Sequence, residues 1–286
     1  MPKALLVIIV VLAIIIFLVL TVSFITQTLF EKRVEKEVRT FLSSNVENPG
    51  QIIQKSDLAV LPPVVQKWLE RSQVLGKERI TSARSKQKAV MRLKEENPWM
   101  PLEAEQYFTV DKPGYIWKAK VKAAPFITLA ARDKYDDGQG NVLIKLLALK
   151  TVADSRGKEV DQGSMVRFLA ETVWIPTAAL SDYITWEEID AKSARATMSY
   201  KGITASGVFN FNDRGEVVEF VAPRYGDFDG HYTMETWAII LEDYKEFDGV
   251  RVPAKGEVEW KLETGDFNWY RFEVLDIEYN NPCGVD

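Results

Sequence analysis

The chain has 286 residues and a net charge of −5, with no basic stripe, which argues against bulk nucleic-acid binding. Its one cysteine, Cys283, and one histidine, His231, exclude an intramolecular disulfide, a thiolate cluster and a histidine-built metal site. Eight tryptophans and ten tyrosines suit strands, and they also suit an apolar pocket with polar tips.

Ala4 to Leu20 is unbroken apolar sequence, and Thr21 to Ile25 extends it. With the apolar residues near Phe30 this is long enough to cross a hydrocarbon core of ~30 Å as a helix. Residues 1–30 are therefore expected to be a transmembrane anchor, with residues 4–26 meeting the membrane. A cleaved signal peptide is the alternative, but the run is long for one and no Ala-x-Ala-like site follows. Lys32, Arg33, Lys36 and Arg39 alone would hold the main domain in the cytoplasm. The interleaved Glu31, Glu35 and Glu37 instead suggest a solvated helix with pairs such as Glu35–Arg39, so these residues leave the topology open.

Glu31 to Leu42 can continue the helix as a stalk, until Ser43-Ser44-Asn45 and Asn48-Pro49-Gly50 break it. Residues 31–55 read as stalk and linker, and 56–282 as one β-rich domain. Within it, Leu61 to Leu69 predicts a proline-initiated helix that closes one end of a sheet, with Gly76 as its stop.

From Ile80 onward the pattern is mostly period two. Tyr115, Trp117, Ala119 and Val121 alternate with Ile116, Lys118, Lys120 and Lys122, a half-buried strand with a basic outer face. Further strands are expected at 126–135, 141–150, 184–190, 194–200, 203–211, 216–222, 233–244, 254–263 and 268–279. Glycine-bearing turns such as Asp136–Gly140 and Asn212–Gly215 join them. About ten strands on short turns make an antiparallel meander, and a sheet of that size must curl or close.

One helix interrupts the strands. Val166, Leu169, Ala170, Val173 and Trp174 share a helical face, and Pro176 ends the run. The expected fold is α+β, mainly β: a transmembrane helix, then a large curved, half-barrel-like antiparallel sheet with a short helix, about 163–175, on its concave face.

No Gly-x-Ser-x-Gly, phosphate-cradling glycine loop, His-Glu-x-x-His or Cys-x-x-Cys occurs. Asp133, Asp136 and Asp137 lack EF-hand spacing, and aspartate–glycine hairpins are common, so calcium is not expected. Arg167 and Glu171 stand one helical turn apart. They read first as an exposed pair, and alternatively as a cleft wall in which burial would raise the Glu171 pKa. Arg224 to Tyr232 reads as a polar, aromatic loop in which His231 with Asp227 or Asp229 would form an acid–base pair, although a lone loop histidine is more often simply solvated.

Arg167-Phe168-Leu169-Ala170-Glu171-Thr172-Val173-Trp174-Ile175-Pro176-Thr177-Ala178-Ala179-Leu180 closely resembles the signature of a bacterial family catalogued as domain of unknown function 6544. Trp186–Asp190, Ser193–Thr197, Arg224-Tyr225, Asp243-Tyr244, Gly249–Pro253 and Glu257–Trp260 extend the resemblance. So do Leu61–Val65, Ala104–Phe108 and Pro113–Trp117, giving coverage of roughly residues 60 to 280. The resemblance implies no activity or substrate, so these residues carry over as signature positions alone. At fold level, an anchored curved sheet with a helix in its hollow is similar to the lipoprotein-carrier (LolA-like) proteins of the bacterial envelope. The apolar run sets the expectation of a single-pass cell-membrane protein, and this analogy alone tips its main domain to the extracytoplasmic side.

The functional expectation is a domain that holds a lipid, or the acyl group of a partner, in the sheet's hollow. Arg167, Glu171, Trp174, Arg224, Tyr225, His231 and Trp237 are the pocket candidates. No catalytic residue, metal or cofactor is expected. The alternatives are a sensor or scaffold that binds an envelope protein through a strand edge or the Arg224 loop, and an enzyme using Glu171 or His231 as acid–base.

Overall fold

The computed structural model describes residues 3–43 and 50–280. Cys283 and most of the linker break lie outside the described residues. Helix α1, Lys3–Ser43, joins the segments expected as anchor and stalk in one continuous element. Its apolar first part is exposed and long enough to cross a membrane. Its last four turns are not a free stalk: Phe30, Val34, Val38 and Phe41, a stripe at helical spacing, pack on Tyr107, Ile116, Ala130 and Leu143 of the sheet. The basic outer face expected on the strand around Lys118 is therefore partly covered, and this is why Ile116 is buried although it points away from the hollow. Glu37 completes the contact, with an ion pair to Arg132 at 3.1 Å.

After a 3-10 turn at Lys55–Val60 comes helix α2, Pro63–Arg71, with its proline in the first turn. Val64, Val65, Trp68 and Leu69 form its buried face, and the Trp68 ring stacks on Phe209 at 6.0 Å.

Among the described residues thirteen strands form one antiparallel sheet. The first meander comprises β1 Ser82–Met91, β2 Met100–Thr109, β3 Gly114–Ala124, β4 Ile127–Asp136, β5 Gln139–Leu146 and β6 Lys150–Ser155. The second comprises β7 Ile184–Asp190, β8 Ser193–Tyr200, β9 Ile203–Phe211, β10 Val217–Phe228, β11 His231–Phe247, β12 Val250–Leu262 and β13 Gly265–Tyr279. The last strand returns to the first, with Arg84 opposite Glu278 and Val90 opposite Arg271. This pairing joins the two meanders side by side and leaves β6 and β7 as the free edges. The chain between those edges is helix α3, Lys158–Glu171, followed by 3-10 turns at Thr172–Trp174 and Pro176–Leu180. A segment connecting the two edges of a curled sheet must cross its open side. Accordingly α3 touches β4 and β5 from one meander and β8, β9 and β10 from the other. Register shifts at Lys86/Gln87, Lys122/Ala124 and Val258/Glu259 mark where the strands bend to make the half-barrel.

The fold agrees with the sequence expectation in class and layout and differs in detail. β1, β2 and β6 were not expected, and the first two are concealed for one reason. Their inward positions carry Ser85, Gln87 and Gln106, so the apolar alternation fails although these residues are buried. α3 begins at Lys158 rather than near 163, after Gly157 at φ 115°, because its first turn is polar and shows no apolar period. Arg224–Tyr232 is not a loop. Arg224 pairs with Glu235 and Phe228 with His231, around a tight turn whose Asp229 and Gly230 both have positive φ (53° and 87°).

Candidate functional site

Two glycines let α3 lie close on the sheet. A Cβ on Gly140 of β5 would stand 2.5 Å from the Val160 carbonyl, and one on Gly163 would stand 3.2 Å from the Tyr225 carbonyl. Asp161 fixes the start of the helix by accepting a hydrogen bond from the Gly140 amide at 2.6 Å. With the helix so seated, its inner face carries Arg167, Glu171 and, one 3-10 turn on, Trp174 into the hollow.

Arg167 and Glu171 are a buried network, not an exposed pair. Arg167 Nε donates to Glu171 Oε1 at 2.8 Å, and Nη1 donates to Asp133 Oδ2 on β4 at 2.8 Å. Gln106 of β2, fully buried, donates to the other Glu171 oxygen at 2.5 Å. The guanidinium also lies 4.7 Å from the Tyr115 ring centre and 5.3 Å from that of Trp117. Burial pushes the Glu171 carboxyl above its ordinary value, against the pull of Arg167 and the hydrogen bond from Gln106. Burial does the same to Asp133. The Tyr115 phenol, also buried, is pushed up to about 12.

Below this network the sheet encloses a cavity of about 470 Å³. Its walls are mainly apolar: Val121, Leu129 and Ala131 on one side, Ile239, Val258 and Phe272 on the other. Trp174 closes part of the roof, its indole donating to the Pro253 carbonyl at 3.0 Å and its ring meeting Phe272 edge-on at 5.3 Å. Arg224, half-buried on β10, enters from beside α3. Its Nε donates to the Gly163 carbonyl at 2.9 Å, and its guanidinium lies over Trp237 at 4.7 Å and Trp260 at 5.6 Å. Burial pulls its pKa down to about 10.

The structure thus brings Arg167, Glu171, Trp174, Arg224 and Trp237 to one cavity. It does not bring Tyr225 or His231 there. Tyr225 follows Arg224 by one residue and so belongs to the opposite face of β10. His231 is exposed at the β10–β11 turn, where Asp227 accepts from the Gly230 amide and Asp229 pairs with Lys94. Among the described residues no hydrogen bond or ion pair joins His231 to either aspartate. Sequence reasoning missed Gln106 as a partner of Glu171 and Asp133 as a partner of Arg167. Asp136 and Asp137 are likewise taken by Lys134 and Lys201, both at 2.8 Å, and no group of metal-binding side chains occurs among the described residues.

The family model described as "Family of unknown function (DUF6544)" matches residues 51–272. No curated protein matches the chain. Among solved structures, a LolA superfamily protein, NE2245 from Nitrosomonas europaea, is similar at 9% identity and TM-score 0.40, covering 75% of this chain and 92% of that one. A β-barrel-like DUF1849 protein from Brucella abortus follows at 11% identity and TM-score 0.26, covering 70% and 98%. A porin-like protein from Bacteroides uniformis has 10% identity and TM-score 0.25, covering 70% and 97%.

Proposed function

The chain belongs to DUF6544, a family of unknown function, and for it we propose the binding of a lipophilic ligand, a lipid or an acylated partner, in the hollow of the curved sheet. The hollow itself supports this. Its volume of about 470 Å³ falls within the ~300–1,000 Å³ typical of ligand pockets. Its walls are apolar, and its charged groups gather on the α3 side. In this reading α1 is a single-pass anchor that keeps the hollow beside a lipid phase. In this reading the domain works on the outer side of the membrane.

The test is native mass spectrometry with solvent extraction, on the full chain released from membranes in a mild non-ionic detergent. A stoichiometric lipophile is expected. Ala131→Phe, which puts a ring into the hollow from β4, is expected to abolish the adduct while leaving thermal unfolding close to wild type. A clean mass that stays clean after lipid is added back sinks the proposal.

A further inference from the structure

Resting on that reading, we propose that Arg224 forms an oxyanion subsite on the α3 side of the hollow. The ligand is then an amphiphile whose acyl or alkyl chain ends in a carboxylate or a phosphate. Two arginines enter the hollow, and they are used differently. Arg167 spends two of its nitrogens on Glu171 and Asp133. Arg224 commits only Nε, to a neutral carbonyl, and among the described residues no carboxylate lies within ion-pair distance of it. Trp237 and Trp260 hold its plane in place. A cation partly withdrawn from water without a counter-ion carries a cost that a bound anion would offset. Its two terminal nitrogens are left as a planar fork, the shape that takes a carboxylate or phosphate with two hydrogen bonds. The walls add further donors: the indole nitrogens of Trp237 and Trp269 are buried and have no acceptor among the described residues. An apolar hollow with surplus donors selects a lipophile that brings its own oxyanion and discriminates against a neutral one.

The measurement is native mass spectrometry of the full chain in non-ionic detergent with myristate or myristyl alcohol added, two ligands of equal chain length and different head. Wild type is expected to prefer myristate by at least about tenfold, equivalent to about 1.4 kcal/mol. Arg224→Gln is expected to bring the ratio close to one, and Arg224→Lys, which keeps the charge, to retain part of the preference. Phosphatidic acid in place of myristate tells a phospholipid from a free acid, and a preference for either supports the subsite. Equal binding of acid and alcohol by wild type, or a preference untouched by Arg224→Gln, overturns the subsite and leaves the lipophile reading standing. Binding of none of these ligands overturns both.

Independently of the ligand, we infer that the turns beside α1 rest in the headgroup layer of the membrane. A helix needs ~20 residues to cross the hydrocarbon core, so a span that begins at Ala4 ends near Ser23. At that level Ser23 and Thr26 donate to the Leu147 carbonyl in the β5–β6 turn, at 3.4 and 3.2 Å. The Leu147 amide in turn donates to the Thr128 carbonyl at 2.8 Å, which ties on the β3–β4 turn. These two turns carry Phe126, Ile127 and Leu149, which are 82%, 41% and 44% exposed. Exposed Lys122 and Lys150 flank them and suit lipid phosphates. Apolar tips fixed at the level where the span ends fit a bilayer surface.

A spin label at Phe126→Cys, in a Cys283→Ser background, reports this on the full chain in phosphatidylcholine nanodiscs. The label is expected to be quenched more by oxygen, which concentrates in lipid, than by a water-soluble nickel complex. A label at Val60→Cys, an exposed apolar position outside these turns, is expected to show the reverse. Equal nickel access at both sites overturns the inference.

Discussion

Arg167→Met is expected to lower the unfolding free energy by about 3–5 kcal/mol, the usual consequence of removing one partner from a buried ion pair. Glu171 and Asp133 face the guanidinium from α3 and β4, at 2.8 Å each, and among the described residues neither has another cation within ion-pair distance. The substitution leaves both carboxylates desolvated and removes the link between the helix and the first meander. Denaturant titration measures the effect, and an unchanged midpoint would show that the network contributes nothing. Adding Glu171→Gln to Arg167→Met is expected to recover part of the loss, because one of the stranded charges is then gone.

The pH dependence follows from the same group. The folded pKa of Glu171 is raised by burial, while that of an unfolded glutamate is ~4.3. Below the unfolded value both states hold the proton, and the group makes no difference to stability. Between the two values the folded state binds more protons, so stability falls as pH rises, and above the folded value the penalty is complete. Comparing wild type with Glu171→Gln across this window isolates the contribution, and wild type is expected to lose ground as pH rises.

What the sequence made legible, and what it did not, divides along one physical line. Strands such as β3 and β9 alternate apolar and polar residues because one face is buried against hydrocarbon, and period two reveals them. β1 and β2 are as deeply buried, but Ser85, Gln87 and Gln106 occupy inward positions, so the alternation is one of burial and not of hydropathy. The same feature conceals the site's missing members. Leu102, Ala104, Gln106 and Phe108 share a parity on β2, as do Leu129, Ala131, Asp133 and Tyr135 on β4. A polar side chain in an otherwise inward series was the available signal for Gln106 and Asp133. The exposed reading of Arg167–Glu171 failed for a different reason. An i,i+4 ion pair has the same spacing on a solvated helix as on a buried one, and only the path of α3 across the hollow decides between them. That the helix lies on the concave face was legible, but which of its sides turns inward was not, because the pairing of β1 with β13 that completes the hollow joins residues nearly two hundred positions apart.

Phe41→Ala is expected to release the end of α1 from the sheet. Fully burying a side chain such as Val or Phe contributes roughly 1.5–3 kcal/mol, so Phe30, Val34, Val38 and Phe41 together supply about 6–12 kcal/mol as an upper bound. An isolated helix of this length is marginal in water, so the order of residues 30–43 depends on that contact. Phe41 is 3% exposed, and its ring comes within 2.9 Å of where a Cβ on Gly114 would stand, so truncation leaves a hole against backbone that cannot close. A loss of ~3–5 kcal/mol is expected, enough to loosen the last turns while the sheet stays folded. Hydrogen exchange on the full chain is the measurement: faster exchange at 34–43, with β3 and β4 amides protected as in wild type. Unchanged exchange there would mean that Glu37–Arg132 and the remaining apolar residues hold the helix alone. The outcome also bears on how the hollow is presented. If α1 is rigidly docked and spans a bilayer as proposed, the orientation of the half-barrel to that bilayer is set by one helix. A chain cut after residue 43 then loses that orientation and uncovers Ile116 and Leu143, a patch that water does not suit and that favours self-association.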